Sequence, residues 1–322
     1  MLLSFGCGKT QNIENATDDN EETKSVSISP EIIIPTAEYI KAKLTNTVSR
    51  DARVELEVYT TAFNAVSPET FAADLITKYG ETKAFLLVSY IDKTITDLKD
   101  IENKLKNTYG VNIFFPKVVF MVDKTFNGIA TYDRLKIILS APSAEEENEL
   151  LKPILAHEYG HFLSFHNPDG TVAITSAQNA FNIDMNEMST KGVVDRYHLK
   201  NIYFKPYLSK PLTELEYWGM VEIMAQKVMA ELSDYKDERA LLKWIVNSYS
   251  IKSKNLPPGS PPIESAYLYA LFFSEKYNLP KYQTIFNNRL LNSKTISGQA
   301  QIDASIKKLK YFYNNITISS TP

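Results

Sequence analysis

Hydrophobic positions follow two regimes along the chain. Between about residues 29 and 140 they alternate between helical and strand-like patterns. Pro35 to Leu44 and Pro68 to Tyr79 read as helices, the second opened by Ser67 as its cap. Ala84 to Tyr90 reads as a strand, Thr96 to Tyr109 as a helix, Lys117 to Val122 as a second strand and Arg134 to Leu139 as a third, alternating enough for one wet face. Beyond residue 140 helical spacing dominates. Leu151, Leu155, Glu158, Phe162 and Phe165 recur at 4-3-4-3, and Leu215, Trp218, Glu222, Ala225, Met229 and Leu232 at 3-4-3-4-3. Asp237 to Tyr249, Ile263 to Tyr277, Tyr282 to Leu291 and Ile302 to Tyr313 read as further helices, with a proline-rich loop at 253–262. The prediction is an α+β protein: a leader and disordered tether at 1–28, an α/β part with a mixed sheet at 29–140, and a mainly helical part at 141–322.

Two of the apolar stripes contain a carboxylate, which is costly on a buried face unless it is paired or bound to a metal. Around the first lies Ala156-His157-Glu158-Tyr159-Gly160-His161-Phe162. Histidines four apart on a helix differ by about 40° around its axis, so both imidazoles leave one face and can share one metal ion. Glu158, between them, projects near that ion without ligating it and can take a proton from metal-bound water. Ser143 to Glu146 is a capping box ahead of this helix, and Pro153 is either its first residue or a kink.

Through His157, Glu158 and His161 the chain resembles the zincin metallopeptidases. A third histidine of the metzincin type would fall at Asn167, and the intervening glycine at Ser164. His166 points about 140° away from His161, and Asn167 to Gly170 end the helix. A glutamate from a later helix is the remaining common solution, and Glu222 is the candidate, the alternative being a core ion pair with a basic side chain. Trp218 to Ala225 resembles the second helix of gluzincins and of peptidase-MA-like domains. Here Trp218 stands four residues before the glutamate rather than three, Ile223 replaces a glycine, and about sixty residues separate the two helices.

The resemblance implies a zinc peptidase in which water attacks a peptide carbonyl, with Glu158 as general base. It also implies that Tyr267, near the start of a later helix, stabilises the oxyanion; Tyr197 and His198, in a loop-rich insert at 167–210, are the alternatives. A strand within 128–140 would form the cleft edge and pair with extended substrate. Gln226, one turn beyond Glu222, is placed to fix a histidine ring. Glu214, Glu216 and Glu231 lie off the seam and read as solvated.

Composition narrows the partners. At 322 residues with a net charge of −3 and no Lys/Arg run, the chain gives no reason to expect nucleic acid. No stretch approaches a membrane-spanning helix. Cys7, the single cysteine, follows a short apolar start and resembles the lipidated cysteine of a bacterial lipoprotein, with residues 10–28 as tether. That predicts an extracytoplasmic protein touching the membrane only through Cys7, a monomer acting on peptide or protein substrates. The absence of an assignable cluster for a free peptide terminus favours an endopeptidase. A different class of function is a catalytically inactive zincin-fold lipoprotein that binds a ligand or partner.

Overall fold

A computed structural model describes residues 35–59, 63–108, 115–122, 128–130, 136–140, 151–165, 171, 177–191, 202–203, 212–234, 262–315 and 317–318. Cys7, the tether, the capping box at Ser143, His166, Tyr197, His198 and the helix expected at 237–249 lie outside these residues.

The chain opens with α1 (Ala37–Val48), β1 (Val54–Tyr59), β2 (Phe63–Ala65), α2 (Pro68–Tyr79) and α3 (Glu81–Asn107), followed by β3 (Lys117–Met121), β4 (Gly128–Ala130) and β5 (Lys136–Ser140). The five strands form one mixed sheet in the order β2-β1-β3-β5-β4. Its centre, β1-β3-β5, is parallel, and β2 and β4 add antiparallel edges. The rest is helical: α4 (Leu151–Phe165), α5 (Ala177–Lys191), α6 (Glu214–Ser233), α7 (Ile263–Lys276), α8 (Pro280–Leu291) and α9 (Gln299–Asn315), with a small ribbon of β6 (Ile202–Tyr203) and β7 (Thr317–Ile318). This is the expected α+β class. Among the described residues, no helix is long and apolar enough to cross a membrane.

Three local readings change. Residues 84–90 are not a strand but the start of the 27-residue α3. A short apolar run carries no period of its own. Only over the whole helix does the 3.6-residue repeat emerge, burying Ala84, Leu87, Val88, Ile91, Ile95, Leu98, Ile101 and Leu105. Second, Val54–Tyr59 forms a strand that the sequence reading passed over, although Val-Glu-Leu-Glu-Val alternates apolar and polar positions as a half-buried strand does. Third, the insert at 167–210 is not only loop. In α5, Ala180, Asp184 and Met188 form a buried stripe with Phe181 and Met185 beside it. The polar Asp184 hides that stripe from a hydrophobicity scan; its carboxylate accepts a hydrogen bond from the Tyr217 hydroxyl of α6, and Phe181 packs edge-on against the same ring at 5.4 Å.

One buried cluster extends from Ile40 in α1 to Phe312 in α9. Within it α4 takes the middle, packed on α3, on β4 and β5, and most extensively on α6. Every residue from Pro153 to Leu163 is buried, so the helix is covered on all sides rather than along one stripe. Pro153 is the third described residue of the helix, and the residues before Leu151 lie outside those described.

Candidate metal centre

The two imidazoles and the Glu222 carboxylate converge between α4 and α6. His157 Nε2 and His161 Nε2 lie 3.0 Å apart, with the rings nearly perpendicular at 83°. Glu222 Oε2 is 3.4 Å from His157 Nε2, and Oε1 is 3.5 Å from His161 Nε2. One ligand atom from each residue fits within 4.8 Å of the others, and this is the cluster of metal-ligating side chains found among the described residues. Ligands at about 2.0–2.1 Å from a tetrahedral ion are separated by about 3.3–3.4 Å. The observed separations sit around that value, and two imidazoles with one carboxylate are a donor set suited to a first-row divalent ion. The group can hold a metal ion.

Glu222 takes its place because α6 begins firmly. Thr213 caps the helix in a reciprocal capping box with Glu216. Glu216 is not solvated, contrary to the sequence reading. It is 4% exposed and also accepts hydrogen bonds from Lys308 and Ser305 of α9, which fix the start of α6 against the last long helix. Glu222 is the member of its seam that stays partly open, its side chain 26% exposed, while Trp218, Ala225 and Met229 are buried.

Gln226, fully buried one turn further on, places Oε1 3.0 Å from His157 Nδ1. A metal here requires an unprotonated Nε2, and in the tautomer that leaves Nε2 free the proton sits on Nδ1, where Gln226 Oε1 can accept its hydrogen bond. Nε2 of Gln226 is buried and finds no partner among the described residues, so the amide's contribution goes to the histidine. Gln226→Leu, which keeps the volume and removes the acceptor, is expected to weaken metal binding by about 10–100-fold. Competition against a chelator of known affinity checks this; an unchanged affinity would leave Gln226 without the role.

Glu158 is 7% exposed. Burial raises its carboxyl from the ordinary 4.5 to about 7, with the Glu222 charge adding to the rise, while His157 and a hydrogen bond from the Ala130 backbone N–H oppose it. Ala130 ends β4, the sheet-edge strand, so the carboxylate stands between the metal group and the strand expected to form the cleft edge. Burial also works against ionised Glu222, but His161 and His157 outweigh it and hold that carboxyl well below the usual range. Two neighbouring carboxylates are thereby driven apart, one to be charged and one to take up protons near neutrality.

Tyr159 faces away from the metal group. Its hydroxyl donates to Glu102 of α3 at 2.6 Å; burial, then Glu102, push the phenol well above its ordinary pKa. Glu102 in turn receives two hydrogen bonds from Arg53 at 2.6 and 2.9 Å, and Arg53 also binds Asp51 at 2.7 Å. This chain ties the centre of α4 to α3 and to the segment entering β1. No sequence signal pointed to it, because its members lie about fifty residues apart. Tyr267, expected at the oxyanion, lies on α7 with its hydroxyl accepting a 3.4 Å hydrogen bond from Arg289 and its ring packed on Phe286, both of α8. Those contacts belong to the α7–α8 packing rather than to the metal group.

Comparison with known proteins supplies no relative: no protein family, no curated protein and no solved structure matches the chain.

Proposed function

We propose that the protein is a zinc-dependent peptidase of the gluzincin type, with His157, His161 and Glu222 as ligands and Glu158 as general base. The observation that carries this reading is the meeting of the three ligand side chains from two helices some sixty residues apart, with a second buried carboxylate beside them. Zinc at this position supplies Lewis acidity, which brings the pKa of water at its open side towards about 7 and polarises a carbonyl.

The chain's own residues do the rest. Gln226 holds His157 in the tautomer that presents Nε2. Glu222, held ionised, offsets positive charge at the site. Glu158 accepts a proton from the attacking water and delivers it to the departing amine, a role that its buried place beside the ligand group suits. The β4 edge beside it can hold an extended peptide through backbone hydrogen bonds, which favours cleavage within a chain.

Elemental mass spectrometry on the purified wild type and on Glu222→Ala tests the proposal. About one zinc per wild-type chain and a marked loss in the variant are expected, together with chelator-sensitive cleavage of an unfolded protein. No zinc in either, even after reconstitution, overturns it and leaves a binding protein. Zinc retained in full by Glu222→Ala moves the third ligand elsewhere.

A further inference from the structure

Gly160 lies inside the buried helix α4, where glycine is the poorest helix former after proline. Nothing in its backbone requires it: among the described glycines, positive φ occurs at Gly80 and Gly298. Its surroundings do. A Cβ placed on Gly160 would sit 2.8 Å from Ala225 Cα, 3.2 Å from Ala225 Cβ and 3.3 Å from Val228 Cβ, all on α6. The nearest of these is main chain, which cannot swing aside as the tip of a side chain does. Gly219 provides the contrast: a Cβ there meets Leu309 Cδ1 at 3.2 Å, the movable end of a flexible residue.

The contact lies at the metal group. Gly160 stands immediately before His161 and three residues after His157. Ala225 stands three residues after Glu222 and immediately before Gln226. We infer that Gly160 is a positioning residue for the metal centre: by lacking a Cβ it lets α4 and α6 approach closely enough for Glu222 to reach both histidines. This rests on the metal reading above and adds the element that sets its geometry.

Magnitudes support a role beyond filling space. Carbon atoms pack at about 3.5–4.0 Å, so an alanine at 160 would drive the Ala225 backbone back by at least about 0.7 Å. Metal sites tolerate ligand displacements of about 0.2 Å. The shift exceeds that margin several-fold and falls between the histidines on one side and Glu222 on the other.

The test is a thermodynamic cycle on zinc affinity, measured by chelator competition on the full chain for wild type, Gly160→Ala, Glu222→Ala and the double variant. If Gly160 acts by bringing Glu222 to the histidines, Gly160→Ala weakens zinc binding at least about ten-fold in the wild-type background and less than about three-fold once Glu222 is gone. General loosening of the core would instead weaken both backgrounds equally, and that result, or an unchanged affinity in Gly160→Ala, overturns the inference. Gly219→Ala is the control and should bind zinc as the wild type does. If circular dichroism shows Gly160→Ala unfolded, Ala225→Ser, which adds a single rotatable atom on the α6 side of the same contact, takes its place in the cycle with the same two outcomes. A wild type that binds no zinc overturns the metal reading and this inference with it, whereas zinc-loaded wild type and Gly160→Ala of equal affinity overturn the spacing role alone.

Discussion

Glu158→Gln is expected to retain zinc and to lose turnover by about 10²–10⁴-fold, the usual worth of a general base. The amide matches the carboxylate in shape, so α4 keeps its packing and the three ligand side chains keep their positions. What disappears is the ability to accept a proton from water and pass it on. His161→Ala makes the contrast, since it removes one of two imidazole nitrogens held 3.0 Å apart and should lose metal and turnover together. Measuring zinc content and chelator-sensitive cleavage on the same preparations separates the two. Turnover in Glu158→Gln within a few-fold of wild type would sink the assignment of the base.

The same substitution is expected to stabilise the protein once the metal is stripped. Glu158 is raised from 4.5 to about 7 chiefly by burial, so ionising it in the folded state is unfavourable. For a group whose folded pKa lies above its unfolded value, the stability linked to proton binding is fully present below about pH 4.5. It is lost as pH rises through about 7. The gap corresponds to about 3 kcal/mol, and glutamine carries none of it. Denaturant unfolding of chelator-treated wild type and variant should therefore give similar stabilities at pH 4. At pH 8.5 the variant should be ahead by roughly that amount. An equal difference at both pH values would mean that the carboxylate is not desolvated as the fold implies. A residue that burdens the fold while serving as the proposed general base is what a stability–activity trade-off predicts.

Much of the site was legible because its signals are local. Two histidines four apart and a carboxylate in each of two apolar seams declare themselves within single helices, and the seam through Leu215 and Met229 is enough to single out Glu222. The rest depends on what those helices meet. Glu216 reads as solvated until Lys308 and Ser305 arrive from α9, about ninety residues later. Glu102 is set apart from the other charges of its helix only by Tyr159 and Arg53, which close on it from fifty or so residues away. Residues 84–90 look like a strand because so short an apolar run fits either period, whereas β1 carries an alternation that is legible in Val54 to Val58, and what the sequence does not show there is that Glu57 is 3% exposed. For Glu216 and Glu102 the missing information is a partner distant in sequence, which patterning along one segment cannot supply; for residues 84–90 it is the longer window over which the helical repeat emerges.

The pattern His-Glu-x-x-His leaves two positions open, but in this chain both are filled to specification. Across five consecutive residues of α4, His157 and His161 turn to Glu222, and Glu158 to the end of β4. Tyr159 turns to Glu102 of α3, and Gly160 to the backbone of α6. Three elements therefore read the five letters: α6 reads His157, Gly160 and His161, β4 reads Glu158, and α3 reads Tyr159, so that none is free to drift without a matching change in the element it addresses. The chemistry dictates the first, second and fifth letters; the surrounding architecture spells the third and fourth.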